Sequence, residues 1–335
     1  MIKTLLAVDV GGTKAELALF DLHGPTFTPM QRAIIPCAGH TGIEEIISTF
    51  LRDTGARPEF ACLGVAGVIK DGEARITNLP WLISEDQLAR EFSLAGVKLI
   101  NDMTALCAAI SIFEAIDLLP LQQGRRQKHG TKAVIAPGTG LGEGYLIETG
   151  TAFLPQGSEG GHTDFAPVTD EQLELLHWLR QKTQPVSYEM VCSGLGIPTL
   201  YDFLRERGTI AETEVIRVLL KGATDRTPVI VDGAIRAETP CPLCRKTMEL
   251  FLSSLGSEAG NLALKVYATG GLYIGGGIPP RLVSKISFDP FMQAFRHKAK
   301  MENLLAEIPV DLILNRDAVL CGTAGFGRRY FLSVC

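Results

Sequence analysis

The chain has 335 residues, and at about 150 residues per domain this length predicts two domains. Hydrophobic residues make up 46% of the chain and charged residues 21%, which is close to globular averages and excludes a disordered or fibrous protein. Lysine and arginine total 32 against 37 for aspartate and glutamate, a net charge of -5. Because no basic run is long enough to contact a phosphate backbone, nucleic acid is not expected as a partner.

The apolar segments are too short to cross a membrane, since Gly, Pro or a charged residue interrupts each of them before about 18 residues. The N-terminus lacks the basic and apolar regions of a signal peptide. Most of the eight cysteines lie inside apolar runs, so we expect a cytoplasmic protein with no membrane partner. Cys241 and Cys244 form a CxxC pair, but no second pair or His pair follows at zinc spacing, and no metal is expected there.

Two segments of the chain have the order strand, glycine turn, strand. In the first, an apolar β-branched run at 2–10 leads into the turn Gly11-Gly12-Thr13-Lys14 and a second strand at 15–20. The same order recurs within 133–147. This weak repetition suggests two related halves, each built on a sheet that begins with a hairpin.

The remaining predicted elements alternate between helices and strands. Helical periodicity is found at 42–51, 103–113, 170–182, 194–205, 247–267, 290–305 and 318–331, and strands are predicted at 60–68, 97–100 and 310–314. This alternation predicts an α/β fold, and the hairpins make its sheets mixed rather than purely parallel.

Glycine is over-represented, with 35 residues where about 7% of a chain is usual. The chain has no GxxxxGK[ST] motif, and 138–144 feeds a strand where a dinucleotide fold requires a helix. We therefore interpret the clusters as tight turns whose backbone N–H groups can point together at phosphate. Thr13 and Thr139 offer hydroxyls and Asp9 could hold hydrated Mg²⁺, while an ordinary hairpin is the alternative for each turn taken singly.

Polar residues follow the predicted strands at further places. Asn101 and Asp102 lie between a strand and a helix, where Asp102 could accept the proton of a substrate hydroxyl or the pair could cap the helix. The segment Glu159-Gly160-Gly161-His162 puts an acceptor and a ring donor around two glycines, a pattern suited to vicinal sugar hydroxyls. Taken alone, Glu189 fits a helix-end carboxylate and His162 a structural histidine.

Six segments, in order along nearly the whole chain, resemble the bacterial glucokinase family, within the sugar kinases that share the actin and hexokinase ATPase fold. The segments are LAVDVGGTKAELALFD, LINDMTALCAAI, APGTGLGEGYLI, EGGHTDFAP, YEMVCSGLGIPTLY and GNLALKVYATGGLYIGGGIPPR. The resemblance implies a two-domain actin/hexokinase-like (ribonuclease H-like) fold with mixed sheets and a cleft between the domains. We expect residues 1–110 plus 316–335 to form the small domain and 111–315 the larger, helix-rich one.

The resemblance also implies a role for each matching residue, with Asp102 as the general base. The sugar-binding residues that it implies are Asn101, Asp102, Glu159, His162 and Glu189. The ATP-binding residues that it implies are Gly11, Gly12, Thr13 and Lys14 with Gly138, Thr139 and Gly140 around the phosphates, and Gly275, Gly276 and Gly277 at the adenosine. Asp9 would orient Mg²⁺ through water.

The implied activity is that of a phosphotransferase with an alcohol group as acceptor, a glucokinase that transfers phosphate from MgATP to the 6-hydroxyl of D-glucose. The product, glucose 6-phosphate, feeds glycolysis, and the family is commonly homodimeric. A kinase of another hexose or of an N-acetylated hexosamine and a polyphosphate-using glucokinase remain alternatives. A sugar-responsive regulator would usually add a basic helix-turn-helix module, whereas the first predicted strand begins at residue 2.

Two departures from the family pattern stand out. Glu143 occupies a position where the family usually has a small or apolar residue, so it would either add negative charge near the phosphates or face solvent. The cysteine-rich zinc motif of the related repressor, open reading frame and kinase (ROK) group is absent, because CPLC at 241–244 lacks its companion residues. This absence favours the metal-independent branch.

Overall fold

The computed structural model describes residues 3–24, 26–76, 79–149, 152–236 and 240–334. These residues belong to two compact units. Unit 1 is drawn from Met1–Asp117, Thr149–Gly157 and Asn315–Cys335, and unit 2 from Leu118–Glu148 and Ser158–Leu314. The domain boundaries at residues 110 and 316 stay a prediction.

The strands in chain order are β1 (Thr4–Val10), β2 (Lys14–Asp21), β3 (Gln31–Pro36), β4 (Phe60–Val65), β5 (Gly67–Lys70), β6 (Glu73–Ile76), β7 (Leu82–Ser84), β8 (Gly96–Asn101), β9 (Leu118–Gln122), β10 (Lys132–Pro137), β11 (Leu141–Thr149), β12 (Ala152–Ser158), β13 (Gly271–Ile274) and β14 (Val310–Ile313). Both strand–glycine turn–strand segments are present as antiparallel hairpins, β1–β2 and β10–β11. The glycine turns predicted from the sequence therefore connect adjacent strands.

The helices in chain order are α1 (Ile43–Thr54), α2 (Glu85–Glu91), α3 (Asp102–Ala109), α4 (Asp170–Arg180), α5 (Glu189–Cys192), α6 (Gly196–Arg207), α7 (Glu214–Gly222), α8 (Thr227–Ile235), α9 (Pro242–Lys265), α10 (Pro279–Leu282), α11 (Asp289–Arg296), α12 (Glu302–Glu307) and α13 (Ala318–Val334). Short 3-10 turns lie at Ala115–Asp117, Gly160–His162 and Ala299–Met301. No helix in the described ranges is both long enough and apolar enough to span a membrane.

The main sheet of unit 1 has the order β3-β2-β1-β4-β8. Strands β1, β4 and β8 run parallel, so their carboxyl ends, at Val10, Val65 and Asn101, share one edge of the sheet. The strands carry continuous apolar runs because both faces of the sheet are covered. One face packs against residues of α1 and α2, and the other against residues of α3 and α13.

Close backbone approach fixes two features of unit 1. A β-carbon at Gly322 of α13 would overlap the carbonyl oxygen of Ala105, so only glycine lets α13 lie this close to α3. The single strand predicted at 60–68 was wrong, because the chain leaves the main sheet after Val65 and continues as β5. Gly67 in β5 lies so close to the Arg75 carbonyl of β6 that a side chain would overlap it.

In unit 2 the neighbouring strands β11, β10, β13, β14 and β9 lie in that order. Strands β10, β13 and β14 are parallel, whereas β11 and β9 are antiparallel to their neighbours. The carboxyl ends of β10 and β13 therefore lie side by side. With parallel and antiparallel pairs in both sheets, the predicted α/β fold with mixed sheets is confirmed.

The core of unit 2 is built around α9, which is buried along most of its 24 residues. The single helix predicted at 290–305 was wrong, since α11 ends at Arg296 and α12 begins at Glu302. One α-helix cannot run through this segment because Ala299 has φ +45, outside the right-handed helical region. The neighbouring Lys298 amine donates to Ser257 Oγ at 3.2 Å and Asn261 Oδ1 at 2.7 Å on α9.

Candidate active site

The first glycine turn of unit 1 is surrounded by carboxylates. Asp9 lies at the end of β1 and pairs across the hairpin with Glu16 of β2. The pKa of Asp9 is raised from 3.8 to about 7, chiefly by burial and then by the negative charges of Asp102 and Glu16, while Lys14 lowers it. A buried carboxyl that resists ionisation among other acids is one that a bound cation would stabilise as a carboxylate.

Backbone hydrogen bonds hold this turn in place. Gly11 N–H donates to the Lys14 carbonyl at 3.1 Å, and the Thr13 carbonyl accepts from Cys37 N–H at 2.9 Å. The side chains of Thr13 and Lys14 are exposed. A hydroxyl and an ammonium group are thus presented at the turn, where they can donate to phosphate oxygens.

The arrangement around Asp9 fits Mg²⁺ in one particular way. Among the described residues no group of three His, Cys, Asp or Glu side chains could hold a metal ion, so a cage of protein ligands is absent from that part of the chain. Mg²⁺ usually keeps several waters and is bound through one or two carboxylates together with substrate phosphates. A single carboxylate beside a phosphate-type turn fits that mode.

Asn101 and Asp102 stand where β8 ends and α3 begins. The Asn101 side chain is the N-cap of α3 and accepts from Met103 N–H at 2.9 Å, and Asp102 Oδ1 accepts from the same N–H at 2.9 Å. Both alternatives left open by the sequence are therefore compatible, since Asn101 caps the helix and Asp102 occupies its first turn. Asp102 is half-buried, and the capping bond holds its carboxyl at the carboxyl edge of the sheet.

Asp9 and Asp102 belong to the same edge of the unit 1 sheet. Asp9 is level with Gly64 on β4, and Gly64 is level with Ile100 on β8. Two strand spacings place the backbones of β1 and β8 about 10 Å apart, which is close enough for the charge of Asp102 to act on Asp9. The structure thus brings together two carboxylates that are 93 residues apart in the sequence.

In unit 2, His162 lies between two carboxylates. Its Nε2 is 3.8 Å from Glu159 Oε2, and its Nδ1 is 3.8 Å from Glu189 Oε1. Glu159 and His162 are well exposed, with 76% and 61% of their side-chain surface accessible. An exposed row of acceptor, ring nitrogen and acceptor can bind adjacent hydroxyls of a polyol.

Glu189 is oriented by the second glycine turn. It is the first residue of α5, and its Oε2 accepts from Leu141 N–H at 2.9 Å. A β-carbon at Gly140 would overlap Oε2 of Glu189. The glycine turn therefore leaves room for the Glu189 carboxylate as well as for a ligand of the turn. The spacing of these residues in the sequence did not predict this contact.

Two glycine loops lie next to each other at the carboxyl ends of β10 and β13. Gly138 and Gly277 have no heavy atom within 4 Å of the position of a β-carbon, so their backbones are open. Gly276 has φ +82 and would overlap the Pro137 carbonyl if it carried a side chain. Open backbone at the ends of parallel strands can approach the phosphates and sugar of a nucleotide closely.

The second turn is also braced by residues that the sequence analysis did not assign. Gly194 N–H donates to the Gly138 carbonyl at 2.8 Å, and Leu195 N–H donates to the Thr139 carbonyl at 3.2 Å. Thr227 Oγ1 in turn donates to the Gly194 carbonyl at 2.7 Å. The glycine after Ser193 was the only local signal, because these contacts join segments far apart in the chain.

Of the two alternatives left open for Glu143, the structure excludes the one in which it faces solvent. The residue is 1% exposed, and its Oε2 lies against Gly160, where a β-carbon would overlap it. Burial is the main reason why the pKa of Glu143 rises to about 7, and Glu258 adds to the rise. Glu143 therefore packs beneath the 159–162 turn, against Gly160.

Fold and site together define a sugar phosphotransferase of the hexokinase class, whose members have an actin-like two-domain fold. A family model described as Glucokinase matches residues 6–330. The glucokinase of Nostoc sp. is 38% identical over 338 aligned positions, which cover 96% of this chain and 97% of that protein. The chain belongs to the glucokinase family.

Solved structures agree with this assignment. A glucokinase from an Antarctic psychrotroph has a TM-score of 0.82 and 31% identity, covering 98% of this chain and 100% of that one. A ROK family glucokinase from Streptomyces griseus, solved in complex with glucose and AMPPNP, has a TM-score of 0.66 at 20% identity and covers 97% and 99%. The second likeness shows the shared fold alone.

Proposed function

We propose that the protein transfers the γ-phosphoryl group of MgATP to the 6-hydroxyl of D-glucose, giving ADP and glucose 6-phosphate for glycolysis. The observation that carries the proposal is the carboxyl of Asp102, held in the first turn of α3 beside its N-cap Asn101. The glucokinase name of the Nostoc relative and the glucose and AMPPNP of the Streptomyces griseus structure support the two substrates.

Asp102 is the general base. Its carboxylate accepts the proton of the 6-hydroxyl while that oxygen bonds to the γ-phosphorus and the bond from phosphorus to the bridging oxygen of ADP breaks. Asp9 would hold Mg²⁺ through water. The chemistry that the ion supplies when bound is neutralisation of the phosphate charge.

The remaining site residues bind and orient the substrates. Asn101, Glu159, His162 and Glu189 hydrogen-bond the sugar hydroxyls. The phosphates are held by Gly11, Gly12, Thr13, Lys14, Gly138, Thr139 and Gly140, and the adenosine lies against Gly275, Gly276 and Gly277. The second open glycine loop, at the end of β13, supports ATP over inorganic polyphosphate, because ATP has an adenosine that can lie against this loop and polyphosphate has none.

Release of ADP across a panel of sugars tests the substrate. The panel contains glucose, mannose, fructose and N-acetylated hexosamines, and polyphosphate replaces ATP in a parallel series that measures the phosphorylated sugar. We expect the highest kcat/KM for glucose with ATP. A higher value for another sugar, or for polyphosphate, would replace the proposed substrate or donor.

The role of Asp102 is tested by Asp102→Ala. Loss of a general base lowers kcat by roughly 10²- to 10⁴-fold, and we expect ATP binding to be retained. Asp53→Asn on α1 is the matched control, since Asp53 is an exposed carboxylate of the same unit, and it should keep full activity. Near-normal turnover of the Asp102 variant would reject the assignment.

We also propose a cytoplasmic location and a homodimer. The seven cysteines among the described residues are free thiols, as is usual in a reducing compartment. The homodimer is supported by the resemblance to the bacterial glucokinase family. Light scattering on the purified protein measures the mass, and a monomer over the working concentration range would contradict the homodimer.

A further inference from the structure

The 159–162 turn rests directly on β11. Alternate residues of a strand point to the same face, and Leu141 and Glu143 of β11 both contact the turn. A β-carbon at Gly161 would overlap the carbonyl oxygen of Leu141, and one at Gly160 would overlap Oε2 of Glu143. The two glycines therefore lie flat on the strand, one against its backbone and the other against a carboxyl group.

The Glu143 carboxyl group that packs against Gly160 is not fully satisfied by hydrogen bonds within the described part of the chain. Oε1 of Glu143 is buried and has no hydrogen-bond partner among the described residues. The other buried carboxyl nearby, Glu258 of α9, is 0% exposed but accepts from Asn261 Nδ2 at 2.9 Å and lies 3.3 Å from the Lys265 amine. In the described ranges Glu143 Oε1 lacks partners of this kind, so a negative charge on the Glu143 carboxyl would be poorly stabilised.

We propose that Glu143 is a positioning residue that fixes the 159–162 turn through Gly160 and thereby sets the affinity for the sugar. The turn carries Glu159 at one end and His162 at the other, and His162 also faces Glu189. A small shift of the turn would misplace several sugar-binding groups at once, and misplacement by about 1 Å can cost roughly 100-fold in activity. This inference rests on the proposed function, because it concerns the same sugar site.

If the Glu143 carboxyl packs against Gly160 in its protonated form, sugar binding should depend on pH. The pKa of Glu143 is raised to about 7, first by burial and then by Glu258, while Lys265 lowers it. The titratable and charged groups around it are Glu258 and Lys265 of α9, Cys192 of α5, and Glu159 and His162 of the turn. As the pH rises through 7, an ionised Glu143 without a partner for Oε1 loses its packed position, and KM for the sugar should rise.

The experiment compares Glu143→Gln and Glu143→Ala with the wild type. At pH 6 we expect the isosteric, neutral Glu143→Gln enzyme to keep the wild-type KM for glucose, and Glu143→Ala to raise it about tenfold with little change in kcat. Between pH 6 and pH 8.5 the wild-type KM for glucose should rise, and that of Glu143→Gln should rise less. KM for ATP should be unchanged in both variants.

Three results would overturn the proposal. An unchanged KM for glucose in Glu143→Ala would show that the turn needs no carboxyl, and equal rises of KM for both substrates would indicate a general packing defect. A pH profile of Glu143→Gln identical to that of the wild type would assign the titration to another group. Calorimetry measures glucose binding without turnover and so repeats the comparison of the variants. If the wild type binds glucose but transfers no phosphate, the proposed function is rejected, and the positioning role of Glu143 is judged from the binding data alone.

A double-mutant cycle tests whether Glu143 acts on Gly160 by direct contact and not through a general loss of packing. In the wild type, Gly160→Ala should raise KM for glucose because the new methyl group overlaps the Glu143 carboxyl. In the Glu143→Ala background the methyl group has room, so the same substitution should cost less. Strict additivity of the two substitutions would contradict direct support of Gly160 by Glu143.

Discussion

The two hairpin turns, Gly11–Lys14 in unit 1 and Gly138–Gly140 in unit 2, have similar glycine-rich sequences and different surroundings. The first adjoins Asp9 and Glu16 and presents the exposed Lys14 side chain. The second has its own carbonyls occupied by N–H groups of Gly194 and Leu195. Backbone hydrogen bonds hold both turns. The first lies beside Asp9, whose charge is opposed by further acids, whereas the acid beside the second turn, Glu189, accepts a hydrogen bond from Leu141 N–H.

Under the proposed function, this difference predicts what each turn contributes to phosphate binding. Acids beside a phosphate repel it unless a cation lies between them, so we expect the first turn to bind phosphate together with Mg²⁺. At the second turn Gly138 N–H already donates to the Gly140 carbonyl at 2.9 Å, and Leu141 N–H holds the Glu189 carboxylate. We therefore expect Thr139 to meet the phosphate there without an ion of its own. The comparison predicts that substitutions at the first turn change the requirement for Mg²⁺, and that those at the second act through backbone position.

The largest expected effect comes from Asp9→Asn. Removal of one preorganised electrostatic contact to a transition state lowers kcat by roughly 10²- to 10³-fold, and the residual activity should need more Mg²⁺. The measurement is kcat against free Mg²⁺. Gly138→Ala at the second turn is the comparison, and its Mg²⁺ dependence should match the wild type. A wild-type Mg²⁺ curve for Asp9→Asn would remove the distinction between the turns.

The same substitution should also change how stability depends on pH. The pKa of Asp9 is 3.8 when unperturbed and about 7 in the fold, so the folded state holds a proton that the unfolded state releases between these values. The free energy of unfolding of the wild type therefore falls as the pH rises through this window. Asp9→Asn has no such titration, so its stability relative to the wild type should increase by roughly 4 kcal/mol from pH 4 to pH 8.

Urea denaturation at several pH values measures this difference. Asp53→Asn, an exposed carboxylate of the same unit, serves as the control and should follow the wild type at each pH. If the difference between Asp9→Asn and the wild type stays constant across the range, Asp9 is not the group that titrates.

The smallest effect distinguishes two glycines of the second turn. Gly140→Ala should raise KM for glucose about tenfold, because its methyl group displaces the Glu189 carboxylate that faces His162. Gly138→Ala points into open space and should change this KM much less. Steady-state kinetics with both substrates separates the two, and equal effects would mean that the turn tolerates or rejects side chains as a whole.

Local patterns in the sequence were enough to place both hairpins and the helix start at Asn101. Their signals are short-range, since glycine turns and N-caps depend on neighbouring residues. The helix break after Arg296 could not be predicted, because 297–301 contains no Gly or Pro that would mark it. The sequence also left two alternatives open for Glu143, since its burial depends on a contact with the distant Gly160.

The resemblance to the bacterial glucokinase family supplied what spacing alone could not. Glu159, His162 and Glu189 are individually ordinary residues, and only the ordered motifs indicated that they act together. The structure brings these three side chains together within unit 2. It also adds the contact between Leu141 N–H and Glu189, which depends on the register of the β10–β11 hairpin and not on residue type.

The contact between α13 and α3 has a consequence for the order of events during synthesis. Ala105 of α3 and Gly322 of α13 touch through their backbones, yet more than 200 residues, including all of unit 2, separate the two helices in the chain. The ribosome therefore delivers the helix that begins with Asp102 long before the helix that clamps it. The nascent chain can complete unit 2 first, whereas the packing of unit 1 around Asp102 is complete only after α13 has been synthesised.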